Sequence, residues 1–154
     1  MKFISLALSI LIAQAAGMIG SVFTVSSVGT WFETIAKPSW NPPGWVFGPV
    51  WITLYTLMGV SGYLVWQQRD MPGAKLALSI YGIHLVFNAL WSVLFFGLKN
   101  PGLAFAEILV LLSLIVATTV LFWKINSWAG MLMIPYIAWV SFAAFLNYTI
   151  WQLN

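Results

Sequence analysis

Apolar residues run along this chain in five long stretches, and the charged residues fall between them. No formally charged side chain occurs between Lys2 and Glu33, between Lys37 and Arg69, between Lys75 and Lys99, between Glu107 and Lys124, or after Lys124. A helix that crosses the hydrocarbon of a bilayer needs about 20 apolar residues, and each stretch can supply a span of that order. The stretches lack the two-residue alternation of barrel strands, and lipid cannot satisfy an open strand edge, so helices are the expected element. The expected fold is an all-α integral membrane bundle, a single domain over 1–154, with transmembrane helices near 4–26, 44–68, 74–98, 102–123 and 129–152. The connection 27–43 is long, holds three prolines that fix φ and remove donors, and can lie over one end of the bundle as a lid. Within it, Trp31, Phe32 and Ile35 can form a short amphipathic turn. The remaining turns are short and polar, with Pro101 placed to start the fourth helix.

Composition strengthens this picture. Residues are 62% apolar and 6% charged, against about 25% charged in soluble domains, so a water-soluble surface cannot be built. Six basic residues spread along the chain form no basic patch, which argues against a nucleic-acid partner. Cysteine is absent, which excludes disulfides, thiolate metal sites and thiol nucleophiles. Lys2, Arg69, Lys75 and Lys124 fall on the side of the amino terminus, and Lys37 and Lys99 on the other. That excess places the amino terminus in the cytoplasm and the lid and carboxy terminus outside. Lys2, the apolar run after it and Ala13-Gln14-Ala15 also resemble a cleavable signal peptide. Apolar character continues to Phe23, so the segment is expected to remain as the first helix.

Ten tryptophans carry the candidate chemistry. Trp31, Trp45, Trp66, Trp123, Trp128 and Trp151 lie at helix ends or in the loop, where interfacial anchoring accounts for them. Trp51, Trp91 and Trp139 lie inside helices. At about 1.5 Å per residue they stand roughly 10, 10 and 20 Å from the outer ends of their spans, beneath the long loop. His84, Asn88 and Trp91 follow i, i+4, i+7 on one face of the third helix; Tyr136, Trp139, Ala143 and Asn147 share a broad face of the fifth; Tyr55 lies one turn after Trp51. Two readings stand together: interhelical hydrogen bonds that merely hold the bundle, or a pocket for a flat, mostly apolar ligand with a few polar groups. A stripe of small residues on the first helix, Ala13, Gly17, Gly20, Ser21 and Thr24, allows close packing, a dimer face or a pocket wall. His84 is the only histidine. It is a poor basis for a metal site, and axial ligation of a haem is the weaker alternative. Glu107 is expected to snorkel or hydrogen-bond near the outer interface. No triad, phosphate loop or carboxylate pair is visible, which argues against conventional hydrolytic or phosphoryl-transfer chemistry.

The block Lys37-Pro38-Ser39-Trp40-Asn41-Pro42-Pro43-Gly44-Trp45-Val46-Phe47-Gly48-Pro49-Val50-Trp51 resembles the signature of the tryptophan-rich sensory protein / translocator protein (TSPO, peripheral-type benzodiazepine receptor) family. Leu54 to Gly59, Asn88 to Gly97, Pro135 to Trp139 and Leu146 to Trp151 are similar to it as well, so the resemblance covers nearly the whole chain. It implies a bacterial multi-pass membrane receptor or sensor, often a homodimer. It also implies binding of porphyrins such as protoporphyrin IX, of sterols, and of isoquinoline carboxamide or benzodiazepine-type drugs, with no cofactor required. Carried over by motif, the ligand-binding residues are Trp51, Asn88, Trp91, Trp139, Ala143 and Leu146. Phe87 and Phe142 are added as neighbours, and Trp31, Phe32 and Pro42 come from the lid. His84 joins them at a position where many members resemble glutamine. The resemblance also implies a second possibility, light- and oxygen-dependent breakdown of protoporphyrin IX with Trp51 and Trp139 in a photochemical role. A third reading is a passive structural or assembly protein. After Tyr148 no basic residue follows, so the cholesterol-recognition pattern is incomplete.

Overall fold

In the computed structural model, which describes residues 2–154, each apolar stretch folds as one long helix. The helices are α1 (Lys2–Val28), a short α2 in the lid (Trp31–Thr34), α3 (Gly44–Gln67), α4 (Ala74–Ser92), α5 (Pro101–Ile125) and α6 (Ser127–Leu153). Five of them are long and apolar enough to cross a membrane, and the chain is a multi-pass membrane bundle. Its helices are apolar on nearly all faces, because one face meets lipid and the other meets neighbouring helices. The polar turns fix where helices begin. The Asn100 side chain accepts from the Leu103 N–H at 3.0 Å, with Pro101 in the first turn. The Asn126 side chain accepts from the Trp128 and Ala129 N–H groups at 3.0 and 3.3 Å.

One helix departs from the expected span. Instead of running regularly to residue 98, the third span leaves α-geometry after Ser92 and makes a π-turn over Val93–Gly97, with the Leu98 N–H bonded to the Val93 carbonyl at 2.8 Å. The wider turn inserts a residue, and both Phe95 and Phe96 become buried beneath the lid. The Ser27 hydroxyl donates to the Phe96 carbonyl at 2.7 Å.

The long helices close a ring in the order α1, α3, α6, α5, α4 and back to α1. Small residues set the closest approaches. A Cβ at Gly59 would lie 2.4 Å from the Ile10 Cα, and the Ser9 hydroxyl donates to the Gly59 carbonyl at 2.7 Å, so α1 and α3 pack backbone to backbone in the half away from the lid. Nearer the lid, α1 packs instead on α4, where Gly20 faces Ser92. The far half of the ring is solid, filled by Met58, Val65, Ile115, Phe122 and Met133. The lid half is hollow.

Trp45, Trp66, Trp123, Trp128 and Trp151 are exposed on the outside of the bundle, as membrane anchors would be. Trp31 is not among them; its ring turns inward onto Phe95, with centroids 5.7 Å apart.

Candidate ligand cavity beneath the lid

The hollow is a cavity of about 500 Å³, within the roughly 300–1,000 Å³ of small-molecule sites. Its floor is a hydrogen-bonded bridge across three helices. The Tyr55 hydroxyl (α3) donates to Asn88 Oδ1 (α4), and Asn88 Nδ2 donates to the Tyr136 hydroxyl (α6) at 2.7 Å. Aromatic rings stand on this floor. Trp51 stacks on Tyr55 at 5.4 Å, Phe47 meets Trp139 edge-on at 5.9 Å, and Trp91 stacks on Phe95 at 5.1 Å. The indole N–H of Trp91 donates to Asn147 Oδ1 at 2.9 Å, and Asn147 Nδ2 donates to the Pro101 carbonyl at 2.7 Å, tying α4, α6 and the start of α5 together.

The lid roofs the cavity and is anchored on both sides. Trp31 and Phe32 pack on Phe95 and Phe96 of the π-turn. Trp40 stacks on Phe145 of α6 at 5.2 Å, nearly parallel. The Lys37 ammonium donates to the carbonyls of Phe32 and Ile35 and sits 4.8 Å over the Phe32 ring. At the end of α6, the Asn154 side chain accepts from the Ala36 N–H and donates to the Ala36 carbonyl, both at 2.9 Å.

Eight of the residues expected at a ligand site line this cavity: Phe32 and Pro42 from the lid, Trp51, Asn88 and Trp91, and Trp139, Ala143 and Leu146 from α6. Four do not. Trp31 is held against Phe95. His84 lies one turn below Asn88, fully buried between the rings of Tyr81 and Tyr136, on the far side of the floor. Phe87 packs into the helix core, and Phe142 sits against Trp139 under Trp40. Glu107 also departs from expectation. Its carboxylate is buried on α5 and neither oxygen has a hydrogen-bond partner among the described residues, so it neither snorkels nor bonds there.

Part of the wall lies outside the residues expected from sequence. Phe47 lies one turn before Trp51 on the same face, a spacing that could have revealed it. Ile108 and Leu111 bring α5 into the site with no local signal. On α1, Gly17, Ser21 and Thr24 of the small-residue stripe line the cavity, while Ala13 and Gly20 pack against neighbours. Gly17 is required by contact: a Cβ there would lie 2.3 Å from the Tyr55 ring.

Among the described residues, no formally charged side chain lines the cavity. Both amides that sequence position made candidate ligand donors, Asn88 and Asn147, already bond protein groups through each end. The arrangement offers mainly π faces and apolar surface, with the hydroxyls of Ser21, Thr24, Tyr55 and Ser92 among its few polar groups.

These features define an all-helical, multi-pass membrane protein with an aromatic cavity in one half of its bundle. The sequence profile of the TspO/MBR family matches residues 9–152, and the chain belongs to that family. It is 38% identical to the tryptophan-rich protein TspO of Chlorobaculum tepidum over 99% of this chain and 98% of that one. It is likewise 38% identical to the translocator protein of Homo sapiens, over 88% of this chain and 82% of the human one. With the tryptophan-rich sensory protein of Cereibacter sphaeroides it shares 39% identity over 80% of this chain and 77% of the relative.

Proposed function

We propose that the cavity is the binding site of a membrane receptor for porphyrins, protoporphyrin IX among them, and for hydrophobic drug-like molecules of the isoquinoline carboxamide or benzodiazepine type. The observation that carries this reading is an uncharged cavity with Trp51, Trp91 and Trp139 in its wall, in which Asn88 and Asn147 are already committed to holding the helices. Such a site rewards flat apolar area and discriminates against small polar solutes. The names of the relatives, sensory protein and translocator protein, fit a receptor or carrier. The protein then sits in a bacterial cell membrane as a homodimer, with its amino terminus cytoplasmic and the lid outside.

A second reading has its own support, since Trp51 and Trp139 both line the cavity and the buried Trp139 indole N–H has no hydrogen-bond partner among the described residues. A bound porphyrin can absorb light itself, and on this reading the two rings exchange electrons with it, with oxygen as the oxidant. One experiment separates the readings. Purified protein is titrated with protoporphyrin IX in the dark while tryptophan fluorescence is followed, then illuminated while porphyrin absorbance is followed. Saturable quenching with porphyrin loss no faster than in detergent alone supports the receptor. Accelerated loss that disappears in Trp51→Phe and Trp139→Phe, with binding retained, supports photo-oxidation. Absence of saturable quenching sinks both and leaves a passive structural protein.

A further inference from the structure

The cavity has two conceivable routes to its surroundings, through the roof or through the wall, and they are built very differently. The roof is fastened by the Asn154 clasp on Ala36, by Lys37 bonding back into its own loop, and by ring contacts to the π-turn on one side and α6 on the other. Most seams of the wall are also closed. Between α1 and α4, Gly20 meets Ser92 and Gly97 meets Phe23. Between α3 and α6, Phe47 and Trp51 contact Trp139 and Tyr136. The Trp91–Asn147–Pro101 chain closes the seam among α4, α5 and α6.

The seam between α1 and α3 is different. In the half away from the lid it is zipped by Ser9, Ile10 and Gly59. The zip ends at Gln14, whose Nε2 donates to the Ile52 carbonyl at 3.0 Å and to the Thr56 hydroxyl at 3.1 Å. One turn further on, Gly17 still touches the Tyr55 ring, and beyond it α1 packs on α4, where Gly20 meets Ser92. Met18, Ser21 and Val25 on α1, and Gly44, Gly48 and Ile52 on α3, all line the cavity and are all exposed on the outside of the bundle. Met18 is 61%, Val25 77% and Ile52 61% exposed. Residues that belong to both surfaces mark an opening. On α3 the rim follows i, i+4, i+8 with glycine in the first two places, and a Cβ at either glycine would meet nothing within 4 Å. Eight residues of helix give the slot a length of about 12 Å. Apart from Ser21, whose hydroxyl donates to the Met18 carbonyl, its rims are apolar, and they lie within the membrane-crossing lengths of α1 and α3.

We infer that the cavity is loaded and emptied sideways, through this slot between α1 and α3, by molecules dissolved in the bilayer, while the lid stays in place as a fixed roof. The inference rests on the reading that the cavity binds hydrophobic small molecules, and adds the class from which they come: flat amphiphiles that partition into hydrocarbon. Occupancy then follows the mole fraction of ligand in the membrane, not its aqueous concentration. Gly44 and Gly48 are the gate positions, and Gln14 sets the closed end of the slot.

The test uses the full chain in lipid vesicles, in the dark, with protoporphyrin IX as the probe and tryptophan quenching followed after rapid mixing. Gly48→Phe puts a ring into the slot, and Val86→Phe, on an exposed face of α4 outside the cavity lining, serves as the control. The pair Ala36→Cys and Asn154→Cys, in a chain with no other cysteine, fastens the lid by a disulfide that a reductant releases. Gly48→Phe is expected to slow association and dissociation together by about tenfold or more, leaving their ratio unchanged. The fastened lid is expected to exchange ligand at the wild-type rate. Slow exchange in the fastened lid with wild-type exchange in Gly48→Phe overturns the inference. So does a Gly48→Phe protein that binds more weakly without dissociating more slowly, since the ring would then be filling the pocket and not the passage. A ligand-free readout keeps the slot testable if protoporphyrin IX does not bind at all. A bimane label on Gly48→Cys is expected to be quenched by lipids brominated along the acyl chain. An unquenched label shows the slot closed to lipid and overturns the inference, whatever the outcome for binding.

Discussion

Asn88 is the residue whose loss should reveal most about how the cavity is held. Its side chain accepts from Tyr55 and donates to Tyr136, so Asn88→Leu removes the bridge among α3, α4 and α6 at one stroke. Interhelical hydrogen bonds in membrane proteins average about 0.6 kcal/mol and reach about 1.7, which puts the loss of two at about 1–3 kcal/mol. The two hydroxyls left behind are not equivalent. Tyr55 lines the cavity, where water or ligand can reach it, whereas Tyr136 is fully buried. Stranding a buried hydroxyl costs about 1–3 kcal/mol, so the cost should fall mainly on Tyr136. Adding Tyr136→Phe to Asn88→Leu should therefore restore about 1 kcal/mol, and adding Tyr55→Phe should restore little. The assay is reversible unfolding in mixed detergent micelles, with helical circular dichroism as the signal, for the single and double variants. Asn88→Leu as stable as wild type would refute the bridge. Equal rescue by the two tyrosine changes would refute the assignment of the stranded group.

Three further outcomes are expected. Gly59→Ala sets a methyl 2.4 Å from the Ile10 Cα, and since helix backbone must move, it should destabilise the bundle by about 1–3 kcal/mol in the same assay. Gly48→Ala, which meets nothing within 4 Å, should be neutral or stabilising by up to about 1 kcal/mol through helix propensity; a loss there would mean the slot is closed. Asn154→Ala removes both clasp bonds to Ala36. Amide exchange at Ala36 should accelerate by about tenfold or less, with the protection of α3 and α6 unchanged; an unaltered Ala36 would show that the ring contacts alone hold the lid.

Much of the architecture was legible because lipid makes charge expensive. The uncharged gaps marked all five spans, and the polar turns at Asn100 and Asn126 sit where those residues cap helices. Helical spacing also put Asn88 and Trp91, and Trp139 and Ala143, on faces that turn toward the cavity. What stayed hidden depends on contacts far apart in the chain. The partners of the two amides, Tyr136 for Asn88 and Pro101 for Asn147, lie 48 and 46 residues away. No local pattern says that these amides face protein instead of ligand. The π-turn at Val93–Gly97 has no proline or glycine run to announce it, and it is what draws Phe95 and Phe96 inward to receive Trp31. A tryptophan near a helix end reads as an anchor, and only the folded lid shows that Trp31 is not one. Gln14, set in an apolar run, falls within a pattern like a cleavage site, and its bonds to α3 exist only once the ring closes.

The central claim is that ligand occupies the hollow beneath the lid. Ala143 lines that hollow from α6, so Ala143→Trp fills it from within and leaves the lid and the slot untouched. The decisive measurement is the dark equilibrium titration of wild type and Ala143→Trp with protoporphyrin IX, alongside unfolding of each. The account predicts saturable binding by the wild type and a loss of affinity of about tenfold or more in the variant, with helical content retained. Equal affinity in the two proteins would place the ligand elsewhere and contradict it.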